Sequence, residues 1–324
     1  MRTVPGFTHV TGHHCGSTAL RNLLRFHGAD ISEEMAFGLG AGPCFYYFAG
    51  DEMSPTRFTN GRTGRLEESF LELTGAPLRL RTADDPAASW ELARMTVDEG
   101  RPALLITDLY YLDHYGNSAH FPGHAVVLAG YDDESAYVSD TAFEGLQRTS
   151  LEGLALARHE RHPFYPLAGH MVDLPEGAEI GDLREAAPRA IVRAASLMHE
   201  PELGEFEGLP ALRKFAAEVG DWPDSAPDWQ WSARFNYQVI ERRGTGGANF
   251  RLLYSRFLDE VGEGEGARLC AAAAERWKEL ASALFAASES ENPDPGAWAA
   301  IGETAGSVLE SEERLWEQLA ARPS

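Results

Sequence analysis

Cysteine is scarce in this sequence. Only three occur in 324 residues, at Cys15, Cys44 and Cys270, and no CxxC pair is present. A disulfide framework needs more cysteines at closer spacing, and it is typical of oxidising compartments. We therefore predict reduced thiols and a cytoplasmic location.

Long hydrophobic runs and positive charge are also in short supply. No segment has the roughly 20 uninterrupted apolar residues needed to span a bilayer, and the N-terminal stretch MRTVPGFTHVTGHH lacks the apolar centre of a signal peptide. Lys and Arg number 28 against 50 Asp and Glu, which gives a formal net charge of −22. This balance argues against nucleic acid or an anionic membrane as a partner, because both need clustered cations.

What remains is an ordinary globular composition, with 44% hydrophobic residues, over a chain long enough for two domains. Apolar runs typical of strands alternate with helical patterns in the first half, whereas the second half is helical in periodicity throughout. The sequence therefore predicts an α+β fold. An N-terminal domain over residues 1–175 contains an antiparallel sheet, and an all-helical domain covers residues 176–324.

One cysteine lies at the start of a predicted helix. In the stretch TGHHCGSTALRNLLRFHG, Ala19, Leu20 and Leu23 recur at helical spacing. Cys15 then falls in or just before the first turn, where unpaired backbone N–H groups favour a negative charge. That position can convert the thiol to the thiolate that attacks an acyl carbon. A small buried side chain is the alternative interpretation of a lone cysteine.

Two predicted strands supply candidates for a general base and for the side chain that orients it. His124 opens the apolar strand HAVVLAGYDD, and Asp140 ends the next strand, AYVSD. A hairpin that turns at Asp132–Ser135 returns the end of the second strand to the start of the first. We therefore expect His124 beside Asp140, and together with Cys15 they would form a nucleophile–base–orienter triad.

The histidines near Cys15 allow a second interpretation, a zinc cluster made of His9, His13, His14 and Cys15. Adjacent residues in a turn rarely point at one metal ion, and neither a second nearby cysteine nor an HExxH motif is present. We predict no metal site.

Several stretches together resemble the butirosin biosynthesis protein H family. They span nearly the whole chain in the order HHCGSTALRNLL, FGLGAG, DLYYL, FPGHAVVLAGYDD, YVSD and GTGGANFRLLYSRFLDE. Each piece is weak alone, but their order and spacing are specific. The resemblance implies a papain-like N-terminal domain followed by a helical domain of the family's own type. More distantly, the first domain is similar to bacteriocin-processing peptidases, which use the same order of Cys, His and Asp.

The resemblance also implies a reaction. Cys15 would be the nucleophile, His124 the base and Asp140 the orienter, and an acyl group would pass from a carrier-protein thioester to an amine. The expected partners are an acyl carrier protein and a small-molecule acceptor, with no cofactor apart from the phosphopantetheine arm on which the substrate arrives. A triad does not choose between an amine and water, so a papain-like peptidase, an amidase or a thioesterase is the alternative. A non-catalytic binding module is the second alternative.

The identity of the oxyanion-hole donor stays open. Papain-like enzymes often carry a glutamine six residues before the cysteine, where this chain has His9. Either the His9 ring or the Cys15 backbone N–H could serve as the donor. His14 is expected beside the site. Candidates to line the acyl pocket lie at the end of a predicted buried strand, with ordinary packing as the alternative for the two tyrosines: Asp108, Tyr110 and Tyr111.

A chain of net charge −22 repels an acidic carrier protein unless it concentrates cations locally. Two arginine groups are therefore candidate docking sites: Arg57, Arg62, Arg65, Arg79 and Arg81, and the pair Arg242 and Arg243 beside a GTGG loop. In that loop Gly246 and Gly247 precede a predicted helix, whose N–H groups would suit the phosphate of the carrier arm. The alternatives are a plain turn and arginines paired with acidic neighbours.

Overall fold

The structure is a computed structural model, described here over residues 1–116, 119–161 and 165–321. The strands are β1 (Arg2–Thr3), β2 (Pro43–Ala49), β3 (Arg57–Arg62), β4 (Arg79–Arg81), β5 (Ala103–Asp108), β6 (Pro122–Tyr131), β7 (Ser135–Ser139), β8 (Leu146–Ser150) and β9 (Met171–Asp173). The helices are α1 (Cys15–Phe26), α2 (Glu33–Leu39), α3 (Leu66–Thr74), α4 (Pro86–Asp98), α5 (Leu151–Ala157), α6 (Ala187–His199), α7 (Gly208–Glu218), α8 (Trp222–Ser225), α9 (Trp229–Glu241), α10 (Arg251–Glu260), α11 (Gly264–Ser288) and α12 (Pro295–Ala320).

The chain forms two compact units. The first takes residues 1–36 and 64–183, and the second takes residues 37–63 and the chain from Arg184 onward. The segment 37–63 therefore groups with the helical unit, although the sequence suggested a single boundary after residue 175. Its aromatic strand explains the difference, because Phe45 and Tyr47 are fully buried and pack on Phe215 of α7.

The first unit is built on a seven-stranded sheet in the order β4-β9-β5-β6-β7-β8, with β1 paired to β6. All of these pairs are antiparallel. The central strand β5, ALLITD, is buried along its whole length, as its apolar run indicates. Helices α1 and α4 both pack on β5 and β6. We expected the strand within residues 168–175 at an edge, but β9 lies between β4 and β5, because the three-residue β4 was not recognised.

The second unit contains the β2–β3 hairpin and helices α6 to α12. Its two longest helices, α11 and α12, pack on each other along apolar stripes. A fully buried ion pair joins Arg251 to Glu312, with Nε to Oε1 at 2.8 Å. The indole N–H groups of Trp277 and Trp316 donate to the same carboxylate, each at 2.6 Å. The buried charge is thus fully hydrogen-bonded, which its location requires.

The α+β class, with an antiparallel sheet followed by a mostly helical region, is confirmed. Within the described part of the chain, no helix is both long enough and apolar enough to cross a membrane.

Candidate active site

Cys15 is the first residue of α1, as the sequence predicts. The preceding His14 has extended backbone angles and caps the helix, since its Nδ1 accepts from the Ser17 backbone N–H at 3.3 Å. Cys15 itself is partly buried, whereas Cys44 and Cys270 are fully buried. Only the first thiol is therefore both at a helix N-terminus and within reach of solvent.

Glu33 holds the turn that presents Cys15. Its carboxylate accepts the backbone N–H of His13 at 2.9 Å and that of His14 at 2.7 Å, and the Ser17 hydroxyl donates to it at 3.3 Å. The side chain is buried, and a Cβ added at Gly12 would lie 2.6 Å from its Oε2 atom. Sequence reasoning did not identify Glu33, which lies 18 residues beyond the cysteine, although an acid opening the next helix is a detectable signal.

His124 and Asp140 meet through the β6–β7 hairpin. The register pairs Val127 with Ser139, which places Asp140 level with Val126 and diagonal to His124. The His124 Nε2 atom lies 3.0 Å from Asp140 Oδ1 and 3.1 Å from Oδ2. The expected proximity of these two side chains is confirmed. With Nε2 directed at Asp140, Nδ1 is the ring nitrogen left to serve Cys15.

The charges of these groups are coupled. Burial opposes protonation of His124, but the charge and hydrogen bond of Asp140, together with a hydrogen bond to Cys15, raise its pKa to about 10. Burial acts against ionisation of Asp140, and its histidine neighbours nevertheless hold the pKa of this carboxyl well below its usual range. The arrangement therefore favours imidazolium beside carboxylate, which is the environment that stabilises a thiolate at Cys15.

Two further side chains contact the same carboxylate. His114 Nε2 lies 2.9 Å from Asp140 Oδ2, and the Tyr115 hydroxyl donates to Oδ1 at 3.2 Å. Burial and the nearby Asp140 charge raise the pKa of Tyr115, so it stays a donor. Neither residue was given a role in the triad from the sequence. They follow a strand in a short turn, Asp113–Tyr115, and no periodic pattern marks such a turn.

His9, one of the two candidate oxyanion donors, already contacts other groups through both ring nitrogens. Its Nε2 atom lies 2.8 Å from the Phe143 carbonyl oxygen, and its Nδ1 atom lies 2.7 Å from the Ser139 hydroxyl. A carbonyl can only accept, so the ring N–H is already donated to Phe143. His9 thus contacts residues at and just after the end of β7. In its neutral form, the His9 ring has no further N–H to donate to a substrate oxygen.

The pocket candidates have partners of their own. Buried Asp108 accepts from the backbone N–H of Tyr110 at 3.0 Å and lies 2.7 Å from His120 Nδ1. The Tyr110 ring stacks on His120 with centroids 4.0 Å apart, and the Tyr111 hydroxyl donates to Glu160 at 2.8 Å. This second Asp–His pair organises the turn after β5, and its role in an acyl pocket stays a prediction.

The GTGG loop does not offer the expected phosphate site. Gly246 and Gly247 have positive φ angles, and so do the next three residues, Ala248, Asn249 and Phe250. The first N–H after the glycines, that of Ala248, donates to the Glu241 carboxylate at 3.0 Å. An acidic side chain at this position repels a phosphate and takes the donor that would bind it.

The arginine candidates form hydrogen bonds or ion pairs with other residues of the chain. Directly after α9, Arg242 donates to the Tyr237 hydroxyl and Arg243 donates to the Gln238 amide oxygen. Arg62 donates to the Thr63 carbonyl, and Arg65 to Glu68. The other members of the larger group also have partners: Arg57 with Ser225 and Asp51, and Arg79 and Arg81 with Asp173. Because residues 37–63 belong to the second unit, Arg62 and Arg65 lie in different units.

Among the residues described, no three His, Cys, Asp or Glu side chains are grouped so that they could hold a metal ion.

Two family models match the chain in succession. Residues 14–141 match the N-terminal model of butirosin biosynthesis protein H, and residues 152–319 match a domain of unknown function, DUF4872. The chain belongs to the butirosin biosynthesis protein H family. All three triad candidates lie within the range of the family's N-terminal model. With Cys15 at the start of a helix and His124 on a strand beside Asp140, the domain holds a thiol, an imidazole and a carboxylate in the order that a cysteine nucleophile needs.

A search of solved structures found similarity to a crystal structure described as that of a C39-like peptidase from Bacillus anthracis. The match has 15% sequence identity and a TM-score of 0.39, and it covers 55% of this chain and 100% of that one. No curated protein matches this chain with significance.

Proposed function

We propose that this chain is a cysteine acyltransferase that moves an acyl group from a carrier-protein thioester, through an acyl-Cys15 intermediate, to an amine. The observation that carries the proposal is the linked set of Cys15, His124 and Asp140, with the histidine hydrogen-bonded to both of the others. Membership of a family named for butirosin biosynthesis supports transfer within natural-product assembly.

The mechanism begins with a proton transfer from the Cys15 thiol to His124, which Asp140 stabilises as imidazolium. The thiolate attacks the thioester carbonyl carbon, and the resulting tetrahedral intermediate breaks its bond to the phosphopantetheine sulfur. That sulfur leaves with the proton from His124. Acyl-Cys15 remains, and the imidazole is neutral again.

The second half of the reaction reverses these roles. An amine attacks the Cys15 thioester carbon, and neutral His124 accepts a proton from the amine nitrogen. Collapse of the intermediate expels the Cys15 thiolate and leaves an amide. We assign the Cys15 backbone N–H as the hydrogen-bond donor to the oxyanion of both intermediates, because the first N–H groups of a helix have no acceptor within the helix.

The proposed partners are an acyl carrier protein and a small-molecule amine, and the proposal needs no cofactor beyond the arm that delivers the acyl group. Hydrolysis is the competing outcome, since the same acyl-enzyme can react with water. If the protein is a peptidase, an amidase or a thioesterase, acyl-Cys15 would still form, but added amines would not be converted to amides.

The decisive experiment offers an acyl-pantetheine thioester to the purified protein, with and without a panel of primary amines. Intact mass should show one acyl group on the wild type and none on Cys15→Ala, and amide should form when an amine is present. Acyl-enzyme that yields only free acid would assign a hydrolase. If the wild type is acylated neither by this thioester nor by a thioester on a carrier protein, the protein would instead be a non-catalytic binding module.

A further inference from the structure

The buried carboxylate of Asp140 is contacted by three side chains. Its Oδ1 accepts from Tyr115, its Oδ2 contacts His114, and His124 lies between the two oxygens. Asp140 is fully buried, and the His114 side chain is only 6% exposed. A single histidine partner would leave the carboxylate able to rotate about its terminal bond. The second histidine opposes that rotation at one oxygen, and the tyrosine opposes it at the other.

The fold fixes His114 from several sides. The backbone N–H of Asp113 donates to the Thr149 hydroxyl at 3.2 Å, and the Ser150 backbone N–H donates to the Asp113 carboxylate at 2.5 Å. These contacts tie the turn to β8. The ring of Phe143 meets the His114 ring edge-on, with centroids 5.0 Å apart. The histidine is therefore held in place before any substrate arrives.

The structure assigns His114 a positioning role, in which it holds the Asp140 carboxylate in the orientation that orders His124 for Cys15. This inference rests on the triad of the proposed function and adds a fourth member to it. His114 would touch neither the substrate nor the reacting sulfur. Its contribution would be to keep Asp140 aligned, so that the Asp140–His124 contact persists when His124 gains and loses its proton.

Other charged groups near His114 bear on its behaviour. A cavity of about 420 Å³ is lined by His114 together with Asp113, Glu134, Ser135, Arg148 and Ser150. Arg148 pairs with Glu134 at 3.8 Å, and both are well exposed. On the side of the triad, the Tyr115 ring lies 4.9 Å from the His114 ring, centroid to centroid, and Asp140 contacts its Nε2 atom. Solvent-exposed charges in the cavity are screened, so Asp140 is the dominant charged neighbour of His114.

The test measures the rate at which iodoacetamide alkylates Cys15 between pH 5 and pH 9, because this rate reports the thiolate and needs no acyl substrate. In His114→Ala, a loosened Asp140 stabilises the imidazolium less. The pH profile should therefore move up by about one unit, which is a roughly tenfold slower reaction on its rising limb. His114→Gln can still place an amide N–H near Oδ2, and its profile should stay close to that of the wild type.

Two comparisons separate positioning from general damage. His159 is a half-buried histidine of the same unit whose ring nitrogens contact the Ala155 and Ala83 carbonyls, so His159→Ala also removes a histidine with two polar contacts. It should lower the Tm without moving the profile. His114→Asn places its amide at the position of Nδ1 rather than Nε2, and it should behave like His114→Ala. The Gln and Asn pair keeps the test decisive even if His114→Ala does not fold.

The outcomes are distinct. A wild type whose Cys15 reacts like an ordinary thiol contradicts the triad and with it the proposed function. If His114→Gln and His114→Asn both keep the wild-type pH profile, the inference is overturned, but the triad still stands. A shift to lower pH also overturns it, because His114 would then compete with His124 for the carboxylate instead of aligning it.

Discussion

Two of the three thiols in this chain are protected by burial. Cys44 is fully buried, and burial raises its pKa to about 12, while burial also raises the pKa of Cys270 well above its usual range. Iodoacetamide at neutral pH should therefore label Cys15 at least about 100-fold faster than either of the others. Peptide mapping by mass spectrometry after limited labelling measures this ratio. Equal labelling of all three, or activity that survives Cys15→Ala, would contradict the assignment of the nucleophile.

The paired charges of His124 and Asp140 predict how stability depends on pH. The folded-state pKa of His124 is raised to about 10, so its contribution is complete below about pH 6.5 and is lost as the pH rises toward 10. Asp140 has a lowered pKa, so its contribution is present above about pH 4 and is lost as the pH falls further. Asp140→Asn should therefore lower the Tm most between about pH 4 and pH 6.5, and progressively less toward pH 10.

Thermal unfolding of the wild type and Asp140→Asn across this pH range checks the prediction. A Tm difference that is the same at every pH would mean that Asp140 contributes packing and hydrogen bonds without a charge-dependent term.

At the residue scale, the sequence could indicate the positions that lie on regular elements. Cys15 begins a helix, His124 lies on β6 and Asp140 directly follows β7, so periodicity and strand pairing bring them together. Glu33 and His114 reach the site through capping and turn contacts, which have no period. The sequence could not decide between the two candidate oxyanion donors for the same reason, because the contacts of the His9 ring with Ser139 and Phe143 depend on tertiary packing.

The N-terminus of α1 depends on one acidic side chain from the start of α2. Glu33→Gln removes the negative charge toward which the two backbone N–H groups point, and its amide NH₂ would take the place of Oε2, which lies 3.0 Å from the His13 backbone nitrogen, so that two donors would face each other there. Unfolding in urea should show a loss of about 1–3 kcal/mol in the free energy of unfolding. Cys15 alkylation should also slow, because the turn that presents the thiol loosens.

The neighbouring Glu34→Gln is the matched control, since it neutralises a half-buried acid on the same turn of α2 that does not cap α1. Similar losses in both variants would mean that the effect comes from the net charge of α2 rather than from the hydrogen bonds at His13 and His14.

At the element scale, long periodic segments are predictable and short ones are not. The helices of the second half and the apolar strands β5, β6 and β7 are marked by their patterns. The three-residue β4 is too short to show alternation, which is why β9 was placed at an edge. The backbone around Gly247 combines glycines and Asn249 with left-handed Ala248 and Phe250, two residues that propensity does not assign to such angles.

At the scale of the whole molecule, the proposed carrier protein would need a local cationic site, because the net charge of the chain is −22. Arg65 is the most testable candidate, because its side chain is 56% exposed and pairs with Glu68 three residues away. We expect Arg65→Glu to raise the KM for a carrier-bound thioester several-fold while the KM for a free pantetheine thioester stays unchanged. The free substrate lacks the acidic surface that the arginine would contact.

Arg268→Glu provides the control, since Arg268 is an exposed arginine of the second unit that pairs with Glu265, also three residues away. An equal rise in KM for both substrates in Arg65→Glu would mean that the arginine acts on structure. An equal effect of the two arginine variants on the carrier-bound substrate would mean that net charge, rather than a docking site, is responsible.

The division into two units was only partly predictable. The change from mixed to helical periodicity near residue 180 is visible in the sequence, and the structure changes unit at residue 184. The inclusion of residues 37–63 in the second unit was not visible. An aromatic strand such as PCFYYFA can pack on any apolar partner, and nothing in the neighbouring sequence indicates that the partner lies more than 150 residues away along the chain.

That distant pairing has a consequence for how the protein is made. Residues 37–63 leave the ribosome early, yet the helices that cover them are encoded from residue 184 onward. For most of translation, Phe45 and Tyr47 have no native surface to pack on, so the nascent chain carries an exposed aromatic hairpin. A gene truncated after residue 175 should give the same exposed hairpin permanently, and its product should aggregate or require a chaperone, as sedimentation of the expressed product would show.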